Sequence, residues 1–209
     1  MWKYKNIIIF WFVFSALWGI YRLFAFPEFF SEVVAKPIIW LGVTLYFLSK
    51  SVIPASVAQD LKINYSQTKP IWKVLFLPAV FIVLYFFLIN FTQIEYREFS
   101  LFFLLLTVTI NFSTGIVEEF VYRGILYVWF LKNTDEISAF IFVQILFLLG
   151  HLPTLIINSS SFSSALIHAF FIVLIGALHT VVFRVTKSIY ASSLTHGIWN
   201  SLVYYFLLS

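Results

Sequence analysis

The chain is a succession of long apolar runs separated by short polar intervals, with no β-barrel alternation and no internal repeat. A helix needs about 20 apolar residues to cross a hydrocarbon core of ~30 Å, and seven runs are read as spans of that kind. The first extends from Asn6 to Phe26 behind Lys3 and Lys5. It has the basic start and apolar body of a signal peptide, but its length and its lack of a small-residue cleavage site make it a retained anchor. The second span is Val33 to Leu48 and the third Ile71 to Phe91, where Pro78 is a possible kink. Ser49 to Pro70 is the longest polar stretch between them. A fourth run, Phe99 to Phe130, is too long for one upright span. It is expected to tilt steeply, break near Asn111 to Gly115, or turn into the interface after Arg123. Ile137 to Ile157, Phe162 to Val185 and Ile189 to Leu208 complete the set. The expected fold is all-α, a polytopic transmembrane helix bundle of about seven spans.

Composition agrees with that pattern. The chain has 209 residues, of which 62% are hydrophobic and 11% charged, whereas a soluble domain has near 45–50% and 25%. So apolar a chain leaves little from which to build a second globular domain. Residues 1–98 are read as N-terminal transmembrane helices and 99–209 as the core of one integrated membrane domain. Cysteine is absent, which excludes disulfides, thiolate nucleophiles and Cys-ligated metals. The net charge of +4 arises from 13 scattered basic residues, not from a patch, so no nucleic-acid partner is expected.

Those basic residues orient the helices instead. With the N-terminus inside, the inner segments hold Lys3, Lys5, Lys50, Lys62, Lys69, Lys73, Lys132, Arg184 and Lys187, and the outer segments Arg22, Lys36 and Arg97. This bias implies a multi-pass protein with a cytoplasmic N-terminus, and the plasma membrane is its expected location. Arg123 falls inside an apolar run and needs a partner.

An ionisable group at bilayer depth costs about 2.5–3.5 kcal/mol even on the lenient insertion scale, so such residues usually face a protein interior and serve a purpose. The outliers are Glu118, Glu119, Arg123, His151, His168, His179 and His196, together with Asn200. Glu119 with Arg123, Phe147 with His151, and His196 with Asn200 each share a helix face at i,i+4. Helical rise from the inner loops puts Glu118 and His151 both ~21 Å deep, with His196 and Asn200 at ~14 and ~20 Å. Three separate helices thus bring these groups toward one layer. His168 and His179 carry no partner motif and are read as interhelical hydrogen-bonding groups whose loss is nearly silent. Adjacent carboxylates repel, which suits one of them to proton exchange while Arg123 keeps the other ionised.

The segments EEFVYRG (Glu118 to Gly124), FLLGH (Phe147 to His151) and HGIWN (His196 to Asn200) fit the motifs EExxxR, FxxxH and HxxxN in order. In this the chain resembles the CPBP family, the CAAX-protease and bacteriocin-processing (Abi) intramembrane proteases related to type II CAAX prenyl endopeptidases. The resemblance covers about Phe99 to Leu208 and implies an intramembrane endopeptidase. Its site residues would be Glu118, Glu119, Arg123, His151, His196 and Asn200. Glu118, helped by His151, would activate water; His196 and Asn200 would bind the oxyanion; Glu119 and Arg123 would set the charge and position of Glu118.

Both metal-dependent and glutamate-dependent mechanisms are compatible with that family. A divalent metal such as zinc, if used, would be held by Glu118, His151 and His196. The metal-free glutamate mechanism is preferred, with no cofactor required. The expected partners are the lipid bilayer and a membrane-anchored peptide or lipidated protein substrate, a prenylated C-terminal motif being one candidate among several. Two alternatives stay open: a noncatalytic immunity or scaffold protein, and a proton- or ion-coupled transporter, for which the paired broken helices often seen in transporters are absent.

Overall fold

The computed structural model describes residues 2–54, 56–57, 71–90 and 100–206. Among them seven helices run in chain order: α1 (Trp2–Arg22), α2 (Glu28–Ser49), α3 (Ile71–Asn90), α4 (Leu101–Asn133), α5 (Glu136–Asn158), α6 (Phe162–Thr186) and α7 (Ile189–Phe206). No strand occurs among the described residues, and the fold is an all-α polytopic bundle. Five helices, α1, α2, α4, α5 and α6, are long and apolar enough to cross a membrane by length and composition.

Local sequence sets the ends. The Ser100 hydroxyl accepts the Phe103 amide at the start of α4, and the Ser161 hydroxyl accepts the Ser164 amide at the start of α6. At the start of α5, Asp135 takes both the hydroxyl and the amide of Ser138. Those two bonds, the hydroxyl first, hold its exposed carboxyl below the ordinary value. α6 stops at Lys187, whose backbone is left-handed with φ 55°.

Two expectations change. α2 starts at Glu28, not Val33, so Glu32 joins Lys36 in the helix, and a π-helical turn crosses Ser31–Ala35. α4 neither breaks near Asn111 nor turns away after Arg123. It runs unbroken for 33 residues to Asn133, with a π-helical stretch over Phe120–Tyr127, so of the three expected accommodations steep tilt remains. Wider π turns of this kind recur at functional sites, and this one begins directly after Glu118 and Glu119. The outer ends of the third and seventh predicted spans, Phe91 and Leu207 to Leu208, lie outside the described residues, as does most of the Ser49 to Pro70 stretch.

Cross-helix bonds gather one end of the bundle. Tyr4 donates to the Asn133 carbonyl at 3.4 Å, Lys132 to the Ser56 carbonyl at 2.8 Å, and Arg184 pairs with Glu136 at 2.6 Å. The start of α1, the segment after α2, the α4–α5 turn and the end of α6 therefore share a side. The Arg22–Glu28 turn between α1 and α2 closes the other side.

In the middle, Phe14 packs on Trp40 at 4.7 Å and Tyr122 on Phe147 at 4.9 Å, while Trp11 donates to the Leu146 carbonyl at 3.1 Å. This aromatic core ties α1 and α2 to α4 and α5. α7 lies against α4 nearly backbone to backbone: a Cβ on Gly115 would stand 3.0 Å from the Gly197 nitrogen and 3.1 Å from the Ser193 carbonyl. Small residues permit that approach, which carries His196 up to the two glutamates. The outer surface is apolar, with Phe12, Leu105, Ile156 and Phe170 exposed among many others, as lipid contact requires.

Candidate active site

α4 supplies the centre of the site. Glu118, Glu119 and Arg123 are buried, Glu119 and Arg123 with no exposed surface. Arg123 Nη1 donates to Glu119 Oε1 at 2.8 Å, Nη2 to the Gly176 carbonyl at 2.6 Å, and Nε to Thr180 Oγ1 at 3.2 Å. The Phe147 ring lies 4.7 Å below the guanidinium carbon. The cation is thus fully engaged by α4 and α6, which answers why an arginine can sit at this depth.

The two carboxylates have different neighbours. Glu119 Oε1 accepts His196 Nδ1 at 2.8 Å, so Glu119 and Arg123 orient His196 instead of touching Glu118. Glu118 takes its cation from α2: Lys36 Nζ donates to Glu118 Oε1 at 2.5 Å and to Glu32 Oε2 at 2.8 Å. Glu118 Oε2, although buried, makes no hydrogen bond among the described residues. It lies 4.0 Å from His151 Nε2 and 3.8 Å from His196 Nε2.

His151 Nδ1 bonds the Phe147 carbonyl at 2.8 Å. A carbonyl only accepts, so Nδ1 carries the proton and a neutral His151 presents a bare Nε2 toward Glu118. About a quarter of the His151 side chain is exposed, at 26%, making it the open edge of the cluster. Asn200 is half-buried one turn beyond His196 on α7 and makes no hydrogen bond among the described residues.

The structure therefore brings together Glu118, Glu119, Arg123, His151 and His196, and leaves Asn200 on the adjoining turn. It adds three residues, Lys36, Glu32 and His179, that the sequence reading did not place in the site. Lys36 was counted as an outer loop charge. It is buried, and removing it from that tally leaves Arg22 and Arg97 on the outer side. Glu32 went unnoticed, yet Glu32 and Lys36 are an i,i+4 acid–base pair with the spacing of Glu119 and Arg123. That signal was legible once α2 began early enough.

His179 was expected to be a passive interhelical group. Instead it is fully buried, its ring stacks on His196 at 4.6 Å and 13°, and its Nδ1 lies 3.8 Å from Glu119 Oε1. Its isolation in the sequence gave no signal. His168 does lie away from the site, where Nδ1 shares a 3.4 Å bond with Ser159 on an exposed surface.

The ligand set anticipated for a metal was Glu118, His151 and His196. Among the described residues, the groups whose ligand atoms all close to within 4.8 Å are instead Glu119, His179 and His196. Lys36 occupies the other Glu118 oxygen, and His151 stands off at the open edge. The closer trio fits a metal poorly. Its two imidazoles are stacked nearly parallel, so their in-plane lone pairs do not converge on one point, although Glu119 Oε2 and both His179 nitrogens have no hydrogen-bond partner among the described residues.

Fold and site together define a helical integral membrane protein with a buried carboxylate–histidine centre built across four helices. Residues 98–202 match the family model described as "Type II CAAX prenyl endopeptidase Rce1-like". The match spans half of the chain, and the protein belongs to that family of intramembrane CAAX-type endopeptidases. No curated protein and no solved structure matches the chain.

Proposed function

We propose that the protein hydrolyses a peptide bond in a membrane-anchored or lipidated peptide or protein, using a water activated by Glu118. The observation that carries this reading is the free, buried Oε2 of Glu118, flanked at 4.0 and 3.8 Å by the Nε2 atoms of His151 and His196. Gaps of that width are ones a single water bridges. Glu118 Oε2 and neutral His151 Nε2 are both acceptors, so they take the two hydrogens of such a water and leave its lone pairs free to attack.

His196 stands apart because Glu119 already receives its Nδ1 proton. Its Nδ1–H is committed to that carboxylate at 2.8 Å, so Nε2 donates only when the ring carries both protons. In that form it supplies a hydrogen bond to the oxyanion, with Asn200 as the second donor. Attack forms the carbon–oxygen bond as Glu118 removes the proton. Collapse breaks the carbon–nitrogen bond as Glu118 returns that proton to the leaving amine. No metal enters these steps, and no acyl-enzyme forms. Glu119 and Arg123 serve through His196, not through Glu118 as the sequence reading held.

Depth favours a substrate already confined to the bilayer. The site lies well inside the bundle, and the Phe-rich exterior suits lateral approach of an apolar or lipid-bearing segment, with the basic end of the bundle facing the cytoplasm at the plasma membrane. The test compares matched peptides with and without a prenyl or hydrophobic anchor, incubated with protein in nanodiscs. The anchored peptide is expected to have the higher kcat/KM by at least tenfold. Equal values would refute membrane-confined selection.

A further inference from the structure

The matched family segment supplies Glu118 but not the cation that holds it. That cation comes from α2, outside residues 98–202. Lys36 Nζ joins two carboxylates, Glu118 Oε1 at 2.5 Å and Glu32 Oε2 at 2.8 Å. Glu32 is itself fixed: Thr114 Oγ1 donates to Oε2 at 2.7 Å, Ser113 Oγ donates to its carbonyl at 2.9 Å, and Arg22 lies 3.6 Å from Oε1. Trp18 and Trp40 place their rings 5.3 and 5.2 Å from the ammonium, a distance at which ring faces attract a cation and shield it from water.

Such a construction costs desolvation energy, so a bundle seeking only stability would do as well with apolar residues. Its geometric effect is specific. It consumes Oε1 of Glu118 and leaves Oε2 turned toward His151 and His196. Other ionisable groups near it are Glu28, which pairs with Arg22, and the two histidines beyond Glu118.

We propose that Lys36, braced by Glu32, is a positioning residue for the reaction: it fixes the Glu118 carboxylate so that a single oxygen faces the water. This rests on the hydrolytic reading of Glu118. The Lys36 ammonium is taken up by Glu118, Glu32 and the two indole rings, so on this proposal its loss changes the rate of the chemical step and not substrate affinity.

The experiment measures kcat and KM on an anchored peptide in nanodiscs for wild type, Glu118→Gln, Lys36→Met, Lys36→Arg and Glu32→Gln, with thermal unfolding as the check on folding. Lys36→Met is expected to lower kcat roughly 10- to 100-fold, the scale of a misplaced catalytic group. KM should stay within twofold, and Lys36→Arg should recover part of the loss. Glu32→Gln should lower kcat severalfold, and it decides the matter if Lys36→Met fails to fold. Wild-type kcat in Lys36→Met, or in Glu32→Gln where that variant decides, overturns the proposal. So does an effect confined to KM. These results leave wild type active and Glu118→Gln inactive, whereas failure of the hydrolytic reading leaves those two indistinguishable.

Discussion

Glu118→Gln is expected to lower kcat by about 10²- to 10⁴-fold, the contribution of a positioned general base, while the protein stays folded. The amide keeps the shape of the carboxylate and can still accept from Lys36 through its oxygen, so the ion pair weakens without opening a cavity. What disappears is the one basic oxygen, Oε2, that faces His151 and His196. Single-turnover cleavage of an anchored peptide checks it, with unfolding temperature measured on the same sample. Activity within threefold of wild type would remove Glu118 from the chemistry and favour a noncatalytic membrane protein.

Arg123→Met should act on the fold itself. It leaves Glu119 buried with no permanent cation and strips donors from the Gly176 carbonyl and Thr180. Breaking one partner of a fully buried pair costs about 3–5 kcal/mol, a large share of a stability that is typically ~5–15 kcal/mol. The expected result is a sharp fall in the yield of monodisperse protein and in its unfolding temperature, with activity lost in proportion. Replacing Arg184, whose partner Glu136 is half exposed, should change stability by less than about 1 kcal/mol. Comparable losses from both variants would contradict the burial argument.

The contrast between those two arginines explains what could be read from sequence. Ionisable groups are costly in an apolar run, so Glu118, Glu119, Arg123, His151 and His196 stood out, and i,i+4 spacing gave each helix a face. Helical rise then placed the three motifs at similar depth. Which carboxylate meets which cation was not legible, because it depends on how α2 and α6 pack against α4. Starting α2 at Val33 left Glu32 outside the helix that carries Lys36, so their i,i+4 pairing did not show and Lys36 was tallied with the outer charges. The π-helical stretch at Phe120–Tyr127 leaves no mark in a pattern of apolar residues, which left tilt, a break and a turn all open for α4. His179 lacked a motif and owes its place beside Glu119 and His196 to α6 packing alone.

The account turns on water attacking the substrate directly under the control of Glu118. Cleavage of an anchored peptide in H2(18)O, with enzyme in excess so that each molecule turns over once, tests it most directly. One labelled oxygen in the new carboxylate of the product, and none in the protein, is the predicted result. An unlabelled product carboxylate, or label recovered on the Glu118 side chain, would show that the carboxylate itself attacks and would contradict the account.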